Sequence, residues 1–311
     1  MKDIKNLKEQ TYVLSEVDSF EPKHIFECGQ CFRWNKQENG SYTGIIKSGV
    51  LNVEKKEDKI VFCGMLKENI KDVCDEYFDL GTSYKQIKER LSKVDDNLKV
   101  SIQYGNGIRI LKQDLWETII SFIISANNNI PRIKGIIEHI SEKYGQEIYW
   151  KNNTYYTFPL PEELGKASVE DLRALGLGFR DKRVWETTQM VLNGAINLKY
   201  LESEKNVEKL RENLLKIPGV GPKVADCIML FSLKKLEVFP IDVWVRRVMN
   251  ELYIKQEDET KVNKKQIQQL ARWKICRPCR NCPAVFILLE KGSIKNDINY
   301  VILLETKVKK W

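Results

Sequence analysis

The sequence predicts an α+β fold, with an N-terminal antiparallel β-sheet domain over residues 1–105 and a helical bundle over 106–271. Three observations predict it. The first hundred residues carry short apolar runs that alternate in part, as half-buried strands do. From about residue 110 the apolar residues recur at three- and four-residue spacing, the period of a helix. A Pro/Gly-rich turn then joins two apolar helices near residue 219.

The strands are expected over TYVLSEV, CFRWN, YTGIIKS, VLNVEKK and IVFCGM, separated by Gly, Asn and Glu/Lys turns. YKQIKERLSKV closes this region as a helix. LKQDLWETIISFIISA and IPRIKGIIEHISEKYG open the helical part. Further helices are expected over PEELGKA, VEDLRALG, RDKRVWETTQMVLNG, NVEKLRENLLKI and PKVADCIMLFSL. The loops between them are short, which indicates a compact bundle.

Composition narrows the function classes. Hydrophobic residues make up 42% of the 311, enough for a packed core. MKDIKNLKEQ has no apolar stretch of a secretory signal, and IISFIISA is too short to cross a bilayer. An intracellular, non-membrane protein is expected, in the cytoplasm or nucleoid of a prokaryote. The net charge of +8 permits a polyanionic partner without establishing one. Eight cysteines in a reducing compartment imply thiols rather than a disulfide framework. Cys28 and Cys31 form a CxxC, but the strand–CxxC–helix setting of a redox pair is missing around them.

The sharpest signal is LLKIPGVGPKVADCIML, residues 214–230. One helix is expected to end at Ile217 and a second to begin at Pro222, a residue suited to a first helical turn. Gly219, Val220 and Gly221 form the turn, which leaves backbone N–H groups at a helix N-terminus, a phosphate grip. Such a turn alone is also an ordinary helix connection. Lys223 follows it at once, where the helix dipole disfavours a cation and would favour the free amine that nucleophilic attack needs. Cys227 shares the helical face of Lys223. Asp242, in Phe239-Pro240-Ile241-Asp242-Val243, could aim a carboxylate back across the hairpin, cap the next helix, or do both.

At this point the chain resembles the 8-oxoguanine DNA glycosylase/lyase family of the helix-hairpin-helix superfamily, from about residue 10 to residue 271. PGVGPKVADC carries that family's lysine, ISANNNIPRI matches its asparagine-rich turn, LGLGFR its wedge segment and ECGQCFRW its N-terminal pocket strand. The resemblance implies that Lys223 attacks the sugar of a flipped nucleotide and that Asp242 supports the attack. It implies that the Gly29 carbonyl accepts from N7–H of 8-oxoguanine, a hydrogen that guanine lacks, and that Cys227 stacks on the base. Phe179 would fill the gap left by the flipped nucleotide, where the family more often has tyrosine. Asn127, Arg132 and Arg180 would face the orphaned cytosine, so cytosine opposite the lesion would be preferred. The implied partner is duplex DNA containing oxidised guanine, met by a monomer. No metal or organic cofactor is required, although the hairpin carbonyls leave room for a structural monovalent cation. Trp244 departs from the pattern, since animal relatives often carry a phosphate-contacting histidine there.

The tail also departs from the family, which continues after QIQQLA with an AGxAQxxLF helix that forms part of the base pocket. Here the sequence reads RWKICRPCRNCPAVFILLEKGSIKNDINYVILLETKVKKW. Cys276, Cys279 and Cys282 fall one ligand short of the four that a zinc or iron–sulfur site usually takes. Back-translated with free choice of synonymous codons and shifted by one base, Arg272 through Ser293 permits DGKYADLAGIAQQYLFYWKREA, which contains the family pattern. Residues 272–311 are therefore expected to be out of frame. With this tail, two rival readings stand: a DNA-binding protein or abasic-site lyase that has lost base recognition, and a glycosylase for another lesion. Resequencing the gene across the Ala271 codon should reveal a frame change. An intact frame with no compensating shift nearby would remove this explanation of the tail.

Overall fold

The computed structural model describes residues 6–47, 49–258 and 261–271, with the backbone of 288–289 and 301–302. The expected tail reading, with Cys276, Cys279 and Cys282, lies outside the described residues. The N-terminal half is built on an antiparallel five-stranded sheet of β1 (Lys8–Ser15), β2 (Trp34–Lys36), β3 (Tyr42–Ile46), β4 (Gly49–Lys56) and β5 (Lys59–Leu66). The order is β1-β5-β4-β3-β2. The middle strands bury alternate residues, Leu51 and Val53 on β4 and Ile60 and Phe62 on β5. Phe26 of α1 (Pro22–Phe26) and Phe78, just past α2 (Ile70–Tyr77), close that core.

α3 (Tyr84–Leu91) and α4 (Asp96–Tyr104) follow. Only the first was expected, because the apolar residues of α4, Leu98, Val100, Ile102 and Tyr104, fall at alternate positions and hide the helical period. Both send their buried apolar residues, such as Ile87 and Leu91 of α3 and Leu98 of α4, into the core of the helical half rather than to the sheet. That half contains α5 (Leu115–Ser125), α6 (Ile130–Tyr144), α7 (Pro161–Leu164), α8 (Val169–Leu172), α9 (Asp181–Leu192), α10 (Leu198–Ser203), α11 (Val207–Leu214), α12 (Pro222–Phe231), α13 (Val243–Met249) and α14 (Lys264–Ala271). α5 is apolar almost all round and runs through the centre, as a helix buried on every side must. α10 and α14 were not among the expected helices, and two further features were not expected. β6 (Glu147–Trp150) and β7 (Asn153–Tyr156) form a hairpin whose two turn residues, Lys151 and Asn152, both have positive φ. α11 ends at Leu214 rather than Ile217, and the chain tightens to an i→i+3 bond from Ile217 N–H to the Leu214 carbonyl. Among the described residues no helix is long and apolar enough to cross a membrane.

The segment 106–113 joins the halves. Arg109 is 1% exposed. It donates to the carbonyls of Asp18, Ser19, Phe78 and Asp79, pairs with the Asp18 carboxylate at 3.4 Å, and lies 4.5 Å above the Tyr84 ring. Beside it, the buried Lys88 donates to the Asn106 carbonyl. Burial, and then the Arg109 charge, push this amine down to about 7. Between pH 7 and 9 the unfolded chain holds a proton on Lys88 that the folded chain has largely released, so this residue makes stability rise with pH. Urea unfolding of the native chain and Lys88→Met at both pH values should show the native chain gaining on the variant by on the order of 2 kcal/mol as pH rises. A difference independent of pH would refute this.

Candidate active site

A cavity of about 380 Å³ opens where the sheet half meets the helical half. Its lining comes from Cys28–Gln30 beyond α1, the 108–110 segment, α5 with its following asparagine turn, α12, and the start of α13.

The hairpin between α11 and α12 sets the first element. Gly219 takes φ +84°, which an L side chain resists, and Gly221 precedes Pro222 at the helix start. No side chain caps this N-terminus. Lys223 follows in the first turn of α12, and its Nζ lies 5.5 Å from the centre of the Phe122 ring on α5. Phe122 stacks on Phe231 at 5.8 Å and meets the edge of Phe32 at 5.5 Å, so the amine stands over an aromatic floor. One helical turn on, burial raises the Cys227 thiol to about 11, opposed by the Lys223 amine that hydrogen-bonds its sulfur. That thiol is neutral at physiological pH. Asp242 caps α13 by accepting from the Val245 N–H at 2.8 Å, and it lines the same cavity as Lys223. The cap expected from the sequence is thus present, on a residue that lines the same cavity as Lys223.

The opposite wall is set by Gly29, at φ +79°, and by its neighbour. Gln30 is 3% exposed and fully occupied. Its amide nitrogen donates to the Ile25 and Arg109 carbonyls at 2.9 Å each, its side-chain oxygen accepts from Leu111 N–H at 3.0 Å, and its carbonyl accepts from Gln113 at 2.6 Å. The glycine is therefore carried by a rigid joint. The Cys28 and Cys31 thiols are free, and burial raises Cys28 to about 11 and Cys31 well above its usual value. Neither supplies the thiolate of a redox pair at neutral pH.

The asparagine turn forms the rim. Asn127 is left-handed at φ +52°, Asn128 bonds the Ile124 carbonyl, and Asn129 caps α6 through Arg132 N–H. Arg180 is 2% exposed and donates to the carbonyls of Ala126, Asn127 and Leu177, so it holds this turn from behind. Phe179 is 56% exposed. It therefore projects from the surface rather than filling the core, with the Arg180 guanidinium 4.2 Å and that of Arg183 5.3 Å from its ring centre. Arg132 is exposed and donates to the Gly176 carbonyl at 3.3 Å.

The cavity thus gathers Gly29, Asn127, Lys223, Cys227 and Asp242. Phe179, Arg132 and Arg180 flank the turn outside the lining, and Gly219, Val220 and Gly221 precede the lysine. Sequence reasoning missed Gln30, the aromatic floor and Arg183. Gln30 lies inside the noticed ECGQCFRW string, and an amide between apolar neighbours was its available signal. Trp244, noted only as a departure, lines the cavity with Arg247 4.9 Å from its ring.

An uncapped hairpin carrying an amine and a carboxylate over a cavity large enough for a base defines a helix-hairpin-helix protein of the glycosylase class. The family model described as 8-oxoguanine DNA glycosylase, N-terminal domain, matches residues 12–119. The model described as HhH-GPD superfamily base excision DNA repair protein matches residues 120–277, past Ala271. The chain belongs to the 8-oxoguanine DNA glycosylase/lyase family of the HhH-GPD superfamily, and is a DNA N-glycosylase and abasic-site lyase. It is 32% identical to the N-glycosylase/DNA lyase of Saccharomyces cerevisiae, over 79% of this chain and 70% of the relative. It is 34% identical to a probable N-glycosylase/DNA lyase of Methanothermobacter thermautotrophicus, over 67% and 70% of the two chains. The 8-oxoguanine glycosylase/lyase of Clostridium acetobutylicum, solved in its apo form, is 44% identical with a TM-score of 0.79, covering 88% of this chain and 94% of that one. The same protein bound to double-stranded DNA with cytosine opposite 8-oxoguanine gives a TM-score of 0.80 at 44% identity, over 86% and 91%.

Gln30→Ala would leave the buried Leu111 N–H and the Ile25 and Arg109 carbonyls without these partners. It should cost about 2–4 kcal/mol in urea unfolding. A loss below about 0.5 kcal/mol, the size of an ordinary surface change, would contradict the role given to this joint.

Proposed function

We propose that this chain excises 8-oxoguanine, preferentially opposite cytosine, from duplex DNA by base flipping and lysine attack, acting as a monomer in base-excision repair. The observation that carries the reading is the convergence of Lys223, Asp242, Gly29 and Cys227 on one cavity. The solved relative bound to DNA with cytosine opposite 8-oxoguanine supports the choice of substrate.

In this reading the hairpin N–H groups hold the backbone phosphate beside the lesion. Phe179 enters the gap in the stack, offsetting part of the unstacking cost. In the pocket the Gly29 carbonyl accepts from N7–H, and guanine would leave that carbonyl unpaired at a cost of about 1–3 kcal/mol. The neutral Cys227 thiol lies against the base. The Lys223 amine, as the free base, forms a bond to C1′ while the glycosidic bond breaks; the base leaves with the electron pair and takes up a proton to balance the one that the attacking nitrogen sheds. The Asp242 carboxylate offsets the positive charge that grows on the sugar. The ring opens to a Schiff base, loss of a C2′ proton expels the 3′ phosphate, and hydrolysis frees the lysine. An amine and a carboxylate suffice, so the mechanism asks for no metal or organic cofactor, and a monovalent cation on the hairpin carbonyls would act only structurally. Asn127 and Arg132 would face the orphaned cytosine. Arg180 would join them by exchanging its bonds to the turn carbonyls for the cytosine acceptors.

Borohydride trapping on a duplex with 8-oxoguanine opposite cytosine, and on an abasic duplex, tests this reading. Both adducts should form, and both should vanish in Lys223→Gln. Asp242→Asn keeps a good capping group, so its melting temperature should barely move while trapping slows by about a hundredfold or more. An adduct on the abasic duplex alone would place a defect in base recognition. No adduct on either would favour a binding protein.

A further inference from the structure

Arg183, on the first turn of α9, lies beside both the hairpin and the exposed phenylalanine. Its aliphatic stem lies against the hairpin: a Cβ placed on Gly219 would come within 2.8 Å of Arg183 Cδ and 3.6 Å of its Cγ. Its guanidinium lies 5.3 Å from the ring centre of Phe179. One side chain therefore touches both the turn that would hold phosphate and the ring that would enter the stack.

Its charge is unpaired among the described residues. Among the described residues Arg183 has no carboxylate partner within ion-pair distance, whereas its neighbours Lys182 and Arg173 pair with Glu186 and Asp181. Arg180 adds a second cation at the same ring, Arg132 stands nearby on the Gly176 carbonyl, and the charges of Arg132 and Arg183 both bear unfavourably on Arg180. A cation in the first turn of a helix is also opposed by the dipole. Three guanidinium groups held together against these repulsions call for an anion from outside.

Resting on the proposed function, we infer that Arg183 is a positioning residue that couples the phosphate grip of the hairpin to insertion of Phe179, by binding a backbone phosphate while stacking on the ring. Arginine suits both tasks, because its planar group can stack and bond an anion at once, whereas lysine supplies only a point charge.

The test compares the native chain with Arg183→Gln and Arg183→Lys, after thermal melting confirms that each folds. The probes are a duplex containing a reduced abasic analogue with 2-aminopurine beside it, and the 8-oxoguanine and abasic cleavage substrates. Arg183→Gln should lower the salt slope of binding by about one. It should weaken the 2-aminopurine signal of unstacking, and slow excision of 8-oxoguanine at least tenfold while cleavage of the preformed abasic site falls only a few-fold. Arg183→Lys should restore the salt slope but not the unstacking signal. An unchanged salt slope in Arg183→Gln, equal losses on both cleavage substrates, or full recovery of unstacking by lysine would overturn the inference. A native chain that excises no 8-oxoguanine would instead overturn the proposed function. The binding and fluorescence arms on the analogue duplex would still decide the case of Arg183.

Discussion

Two buried side chains, Gln30 and Arg109, hold the seam between the sheet half and the helical half, and the walls of the cavity take their places from that seam. Arg109 carries a charge with almost no contact with water. That is tolerable only because backbone carbonyls, one carboxylate and an aromatic face surround it. Gln30 accepts from the chain on one side of the seam and donates to both sides. Side chains that bond across a junction fix distance and angle together, which apolar packing alone does less sharply. Gly29 inherits this fixed position.

The other wall is located by packing. α5 and α12 lie against each other in the core, and Phe122 and Phe231 stack where they meet. That contact sets the height of Lys223 above the pocket floor. The exposed ring of Phe179 depends on a third device, in which Arg180 gathers the carbonyls of the asparagine turn and supports the ring at the same time. Ring and turn therefore move together, and loss of the guanidinium would loosen both.

Much of this was legible in the sequence, and the reasons differ by element. The alternating strands and amphipathic helices announced themselves through period, as did the hairpin through Pro218, Gly219 and Gly221. α4 and the β6–β7 hairpin did not. The apolar residues of the first alternate as in a strand, and the strands of the second are four residues long, too short for alternation to stand out. Lys223 and Asp242 were readable because their spacing around a tight turn is local. Gln30 was not, since its partners at Arg109, Leu111 and Gln113 lie about eighty residues away. Arg183 was hidden for a similar reason. As a letter on a charged helix it looks like a solvated cation, and only the fold brings its stem against Gly219.

The two thiols at the cavity, Cys28 and Cys227, both titrate near 11. At neutral pH only about one molecule in ten thousand would carry either as thiolate, the form that peroxides attack. The sulfur surface of the cavity is thus soft and polarisable yet chemically quiet. If the cavity takes an oxidised base, as proposed, sulfur kept in its protonated state by burial lets it outlast the oxidants that make that lesion.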